Sequence, residues 1–450
     1  MANRFWVGDG GDWSDNTNHW STTSGGTAGA SVPASGSNVY FDENSFTTTA
    51  QTVNLDSSYT DSNLLLILDW SEATNSPIFN INNTYTLQVR SLVLTASMTF
   101  TSGWPAWPVA SITGFPIIFY PSGQSCTVDT KGVSIPSCST IRDPNYDTIL
   151  LSDLVVDGYF MVSYGTGAFD ANNFNVTCKT FLTEYYGTGN PEGDHPEIIP
   201  GTGTWTITGY NSSFTVGSNT YTAVWSPWKA HFRDATGALT DIASFVLNDS
   251  STNNKTLDGT ASVLISFTSF TVSVGGTGNV QVYADDINNM VVNYFPGTLK
   301  FYSVATAYNI DTFVVNNTSA TQIQVITNEL STSLPFHMTK SSGRIEINYC
   351  DISYSHVGGG AEWYACHCTD SGENDGWTWA CYTETPAGGL GYPAVTERAK
   401  PSILKTVTQN SIVNDIPITD IYEASSKNNM VDGKMIVDTK ITKTETEVII

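Results

Sequence analysis

An all-β fold, arranged as a parallel β-helix, is what this 450-residue sequence predicts, and three features carry the prediction. Apolar runs are short, rich in Val, Ile, Thr and aromatic residues, and bounded by Gly, Asn, Asp and Ser, the pattern of strands and turns. No long stretch shows a 3.6-residue apolar period; only Lys229–Asp234 and Ser425–Met430 leave room for a helical turn. A four-residue core of the type apolar–apolar–apolar–small polar recurs along the chain, as it does in solenoids. The competing arrangement is a set of β-sandwich modules with regularly spaced strands.

Residues 1–60 have a Trp-rich signature of their own and are expected to form an N-terminal β cap. Residues 61–396 carry the repeats and form the expected body. They are Leu92-Val93-Leu94-Thr95, Leu154-Val155-Val156-Asp157, Phe174-Asn175-Val176-Thr177, Phe245-Val246-Leu247-Asn248, Phe270-Thr271-Val272-Ser273, Met290-Val291-Val292-Asn293 and Phe313-Val314-Val315-Asn316. The last four begin 25, 20 and 23 residues apart, and one turn of a β-helix uses about 20–30 residues. This phase puts Val291 and Val314 inside. It also puts Asn248, Asn293 and Asn316 at one corner, where stacked amides hydrogen-bond as a ladder. A terminal cap rung is expected at about 345–381. Residues 397–450 differ: they hold 7 of the 18 Lys+Arg and none of the 12 Trp. There Asp432-Gly433 between two apolar runs signals a hairpin, a C-terminal β extension that needs a partner to be stable.

Composition excludes several classes. The net charge is −24, yet charged residues are only 13% and aromatics 12%, which is no disordered acidic tail. Without clustered Lys/Arg the chain is not expected to track nucleic-acid phosphates or to dock on anionic lipid. No apolar run approaches the roughly 20 residues of a bilayer span. The opening Met1-Ala2-Asn3-Arg4-Phe5-Trp6 has no apolar export core, so a protein made in a host cytoplasm and released in a virion is expected. Of seven cysteines, an odd number, most are expected to stay buried thiols.

Two stretches carry a resemblance. The first is Phe5-Trp6-Val7-Gly8-Asp9-Gly10-Gly11-Asp12-Trp13, continuing through Asn18-His19-Trp20 to Ser31-Val32-Pro33 and Asn38-Val39-Tyr40-Phe41-Asp42. It resembles the opening module of β-helical tailed-phage virion proteins, fibre-like or spike-like, and the Trp repeats of autotransporter-like bacterial surface proteins. The second is Tyr349-Cys350-Asp351-Ile352-Ser353-Tyr354-Ser355, then Gly358-Gly359-Gly360-Ala361-Glu362-Trp363-Tyr364-Ala365, then the turn before Gly376-Trp377. It is similar to the terminal rung and Gly-Trp cap of the same group. The chain departs from that group at Cys366-His367-Cys368, where small or polar residues are usual, and the segment from 397 onward has no counterpart there.

The resemblance implies a structural virion protein: a fibre, spike or decoration subunit acting in host attachment and particle assembly. Its partners would be further copies of itself, as a homo-oligomer and by analogy with phage fibres a trimer, other virion proteins, and a glycan or protein of the host surface. The alternatives are a polysaccharide-depolymerising tailspike on the same scaffold and a bacterial surface adhesin.

The candidate chemistry is sparse. Trp104, Trp107, Trp225 and Trp228 repeat a Trp-x-x-Trp unit containing proline and are the candidate binding residues; packing inside the fold is the reading they compete with. Cys366, His367, Cys368 and Cys381, with Cys350 and His356 near in sequence, have the ligands zinc takes. Cys-x-Cys is not the usual Cys-x₂₋₄-Cys spacing, however. Buried thiols, or one disulfide from Cys366 or Cys368 to Cys381, fit better, and no metal or other cofactor is expected. The acids Asp370, Glu373 and Asp375 lack the register of a calcium loop and read as a solvated turn. A glycosidase needs two carboxylates about 5–9 Å apart. Asp285-Asp286 and the loop from Glu184 through Glu192 and Asp194 to Glu197 offer them, but acids are common enough here for chance to explain any pair. No nucleophile elbow, phosphate loop or dinucleotide fingerprint is present, and no catalytic residue is assigned.

Overall fold

The computed structural model describes most of residues 2–383, apart from 103–114, 141–144, 185–195, 210–213, 222–224, 227–229, 250–254, 258–265 and some shorter segments. Beyond these it describes the backbone of three strands between residues 407 and 448. The described residues are all-β, without a helix, and most strands pair in parallel. The two windows with room for a helical turn contain strand instead, at His231–Phe232 and within Ile416–Val431. The chain divides into two compact units, Met1–Tyr382 and Thr383–Ile450.

In the first unit most strands pair in parallel with one further along the chain; the exceptions among the described strands are antiparallel, Asn3–Trp6 with Trp20–Ser21 and Phe214–Val216 with Asn219–Tyr221. One ladder aligns Leu154, Val176, Trp205, Phe245, Phe270, Met290 and Phe313. A second aligns Leu87, Ile117, Cys138, Phe160 and Phe181, then Trp225, Leu257, Val282 and Phe301. A third runs through Val39, Leu68, Leu92, Val128 and Leu150. Strand Leu154–Ser163 takes part in the first two ladders, and its pairing with Val176–Glu184 shifts register between Val156 and Tyr159. The shift lets one chain segment bend from one ladder into the next.

The repeats at 245, 270, 290 and 313 are aligned as the sequence spacing requires. Their phase is not. Met290 and Val292 are fully buried while Val291 is only half-buried; Phe313 and Val315 are buried while Val314 is 42% exposed. Side chains alternate along a strand, so the first and third positions of each repeat fill the core and the second faces out. Two repeats fall elsewhere. Val176, not Phe174, is level with Leu154, and Leu92 belongs to the third ladder. Asn316 Nδ2 donates to Asn293 Oδ1 at 2.9 Å, one step of an amide ladder; Ser273 stands between Asn248 and Asn293.

One apolar core runs from Trp6 to Trp377. Its N-terminal end is plugged by Trp6, Trp13, Trp20, Phe41 and Trp70, none more than 1% exposed. Three of the four indoles are satisfied: Trp6 Nε1 donates to the Asp9 carbonyl, Trp20 Nε1 to the Trp13 carbonyl and Trp13 Nε1 to Tyr59 Oη, while Trp70 Nε1 is buried without an acceptor among the described residues. Buried indoles need such acceptors, so the spacing of Trp6, Trp13 and Trp20 is set by core geometry. Gly8 sits among them at φ +83°, and a Cβ there would stand 2.8 Å from the Asn18 carbonyl.

At the other end, strand Glu362–Cys366 pairs with Arg344–Asn348. Trp363 and Trp377 are buried edge to face, 5.5 Å apart. The second unit is antiparallel. Val407–Val413 pairs with Ile416–Val431, which pairs with Lys434–Val448. The last two strands meet at Val431 and Lys434, either side of the Asp432-Gly433 dipeptide, where the sequence signals a hairpin.

Candidate functional site

The densest cluster of reactive side chains lies at the C-terminal end of the first unit. Strand Glu362–Cys366 ends on Cys366, held by the Asn348↔Cys366 pairing and by the Tyr349 amide donating to the Cys366 carbonyl at 3.1 Å. Adjacent residues of a strand point to opposite faces, but His367 has φ 53° and breaks the alternation. Its ring stacks on Tyr349, centroids 5.1 Å apart and planes 13° off parallel. Nδ1 then lies 3.1 Å from Cys366 Sγ and 3.6 Å from Cys381 Sγ. Cys366 and Cys381 form a disulfide, their Cα atoms 4.2 Å apart. Cys366 is buried; His367 and Cys381 are exposed. The next residue, Tyr382, is pinned by the Arg344 guanidinium 3.5 Å over its ring and by Tyr364 against its edge.

Cys368 belongs to a different pair. Its Sγ accepts from the Cys350 amide at 3.2 Å and lies near the Cys366 and Ile347 carbonyls. The hydrogen bond from the Cys350 thiol holds Cys368 below the usual thiol range and, together with burial, pushes Cys350 up. His356 lies away from this cluster, paired in register with His337, their rings 5.1 Å apart. Cys126, Cys138 and Cys178 are fully buried thiols pushed well above the ordinary range by desolvation, which makes them inert.

The aromatic candidates are mostly out of view. Trp104, Trp107 and Trp228 lie outside the described residues. Trp225 is on strand Trp225–Ser226, at the register position between Phe181 and Leu257, both buried.

The acidic candidates separate. In the turn after strand Thr369–Asp370, Asp370 Oδ1 accepts from the Gly372 amide and Asn374 Nδ2, and Asp375 Oδ1 from the Gly376 amide. These carboxylates shape their own loop. Glu192 and Asp194 lie outside the described residues, as does the side chain of Glu184, and Glu197 is paired with Arg233 Nε at 2.5 Å and His231 Nδ1 at 3.3 Å. Asp285 is likewise outside. Asp286 accepts from the Asn309 amide at 2.7 Å and from its side chain at 3.1 Å. The register puts Asp241 on the same row as Asp286, with Ser266 between them. Burial first, and the Asp286 charge second, raise the Asp241 carboxyl above the ordinary range. Asp170 is raised in the same way, by burial and by Asp147. Sequence reading missed both pairs because each joins residues more than twenty positions apart, which only the ladder register brings together.

The chain matches no protein-family model, no curated protein and no solved structure.

Proposed function

We propose that the first unit is a parallel β-helix and that the chain is a structural virion protein of a tailed phage, a fibre, spike or decoration subunit for attachment and assembly. The observation that carries the reading is the register. Phe245, Phe270, Met290 and Phe313 stack in parallel at a near-constant interval of chain, and solenoid rungs repeat in this way. The Trp plug at one end and the Gly-Trp rung at the other suit a rod whose ends are closed against further stacking. The body then presents long, sparsely charged side faces to a host surface glycan or protein.

The second unit is the proposed assembly segment, pairing with further copies of the chain, as a trimer, or with another virion protein. Strand Ile416–Val431 has 16 residues, about 50 Å of extended chain. By two-residue alternation Ile418, Tyr422, Ala424 and Met430 share a face, and Val448, Ile441 and Met435 stand opposite the first, third and fourth of them. Glu423, Lys427, Asp438 and Glu447 belong to the other face. Asp420, Ser426 and Asn428 alternate onto the first face as well, and it is the edge strands, with backbone groups left to pair, that a further copy of the chain would extend. The test is immunogold labelling of purified tailed particles with antibody to residues 1–382. Regular decoration of one virion structure is expected; particles free of the protein would overturn the reading.

The tailspike is the second reading: Asp241 and Asp286 lie on one register row with Ser266 between them, a spacing a pair of glycosidase carboxylates can use. Release of reducing sugar from capsule or lipopolysaccharide, abolished by Asp241→Asn, would establish it.

A further inference from the structure

We propose that, when its disulfide is reduced, the chain binds a soft divalent cation of the zinc type through Cys366, His367 and Cys381. The same two sulfurs then serve either as a covalent staple or as metal ligands. The three donor atoms already lie within 4.8 Å of one another. Tetrahedral zinc, with Zn–S about 2.3 Å and Zn–N about 2.0 Å, requires S···N separations of about 3.6 Å and S···S of about 3.8 Å. His367 Nδ1 stands 3.1 and 3.6 Å from the two sulfurs, so nitrogen is in place and only the sulfur pair must open.

Reduction opens it. A phosphine reductant delivers two electrons to the S–S bond and becomes a phosphine oxide with oxygen from water; two protons complete the thiols. The cation then displaces those two protons, since thiolate is the ligand.

The three ligands differ in freedom as a loadable site requires. Cys366 is fixed by strand pairing and His367 by its stack on Tyr349. Cys381 is exposed, past the Tyr364↔Thr378 bridge that ends the described pairing of this rung, and can make the short outward movement. Exposure of His367 and Cys381 leaves an entry path and room for water as fourth ligand, the open arrangement of three-ligand zinc sites. Sequence spacing concealed the set. Cys-x-Cys draws attention to Cys366 and Cys368, but the Cys368 thiol is engaged with Cys350, and the left-handed His367 turns its ring to the Cys366 side.

The experiment titrates the full-length chain, reduced with a phosphine under anaerobic conditions, with cobalt(II) and then zinc. One equivalent of cobalt should give thiolate-to-metal charge-transfer absorption and the strong visible bands of tetrahedral cobalt, both bleached by zinc. The oxidised chain should give neither. Cys381→Ser and His367→Ala should each weaken binding at least about tenfold, the effect of losing even an outer-shell partner, while Cys368→Ser leaves it unchanged. Far-UV circular dichroism identifies any variant that has lost its fold, and Cys381, exposed at the end of the unit, is the one least able to unfold it. No charge-transfer band in the reduced chain, an undiminished band in Cys381→Ser, or loss of the band in Cys368→Ser would each overturn the proposal.

Discussion

Val291 and Val292 are adjacent and chemically identical, and the fold assigns them opposite environments. Val292 is fully buried on the ladder that holds Val272 and Val315; Val291 is half-buried on the outer face between Thr271 and Val314. Val292→Asp puts an unpaired carboxylate into the core and should cost about 3–5 kcal/mol. Val291→Asp, with water within reach, should cost about 1 kcal/mol or less. Chemical denaturation of both variants checks the difference, and equal losses would mean the phase is wrong. The sequence alone misassigns it because Met290, Val291 and Val292 are all apolar, so alternation leaves no mark there. His367 illustrates the same limit: nothing in its neighbours announces the positive φ that brings Cys366, His367 and Cys381 together.

Strands and turns were more legible than their partners. The residues at 245, 270, 290 and 313 hold four successive ladder positions. Trp205-Thr206-Ile207-Thr208 has the pattern of Phe270-Thr271-Val272-Ser273, but 40 residues separate it from Phe245, its neighbour in the ladder, outside the interval of the other repeats. In the repeat Phe174-Asn175-Val176-Thr177 it is the third residue, Val176, that stands level with Leu154. The Gly-Trp turn near the end of the first unit shows what its glycines do. Gly376 before Trp377 has φ +82°, and a Cβ on it would stand 2.0 Å from the Val357 carbonyl. Gly372, at φ +102°, has nothing within 4 Å of that position. Gly376→Ala therefore suffers both backbone strain and a backbone clash and should cost about 2–4 kcal/mol; Gly372→Ala bears only the strain, about 1–2 kcal/mol. Thermal melting of the two variants should preserve that order, and its reversal would mean the Gly376 turn does not lie against Val357.

At the scale of the whole molecule the two units have different proposed tasks. The first has a continuous apolar core closed by Trp clusters at both ends, enough to fold by itself. The second, in its described residues, is three antiparallel strands whose two edges offer backbone groups for pairing. An acidic chain of net charge −24 resists indiscriminate association, and the proposed pairing is confined to the second unit. Sedimentation equilibrium of the full chain and of residues 1–382, side by side, tests this most directly. The account predicts a discrete homo-oligomer for the full chain and a folded, β-rich monomer for 1–382. A 1–382 fragment that forms the same oligomer, or a full chain that stays monomeric at every concentration, would contradict it.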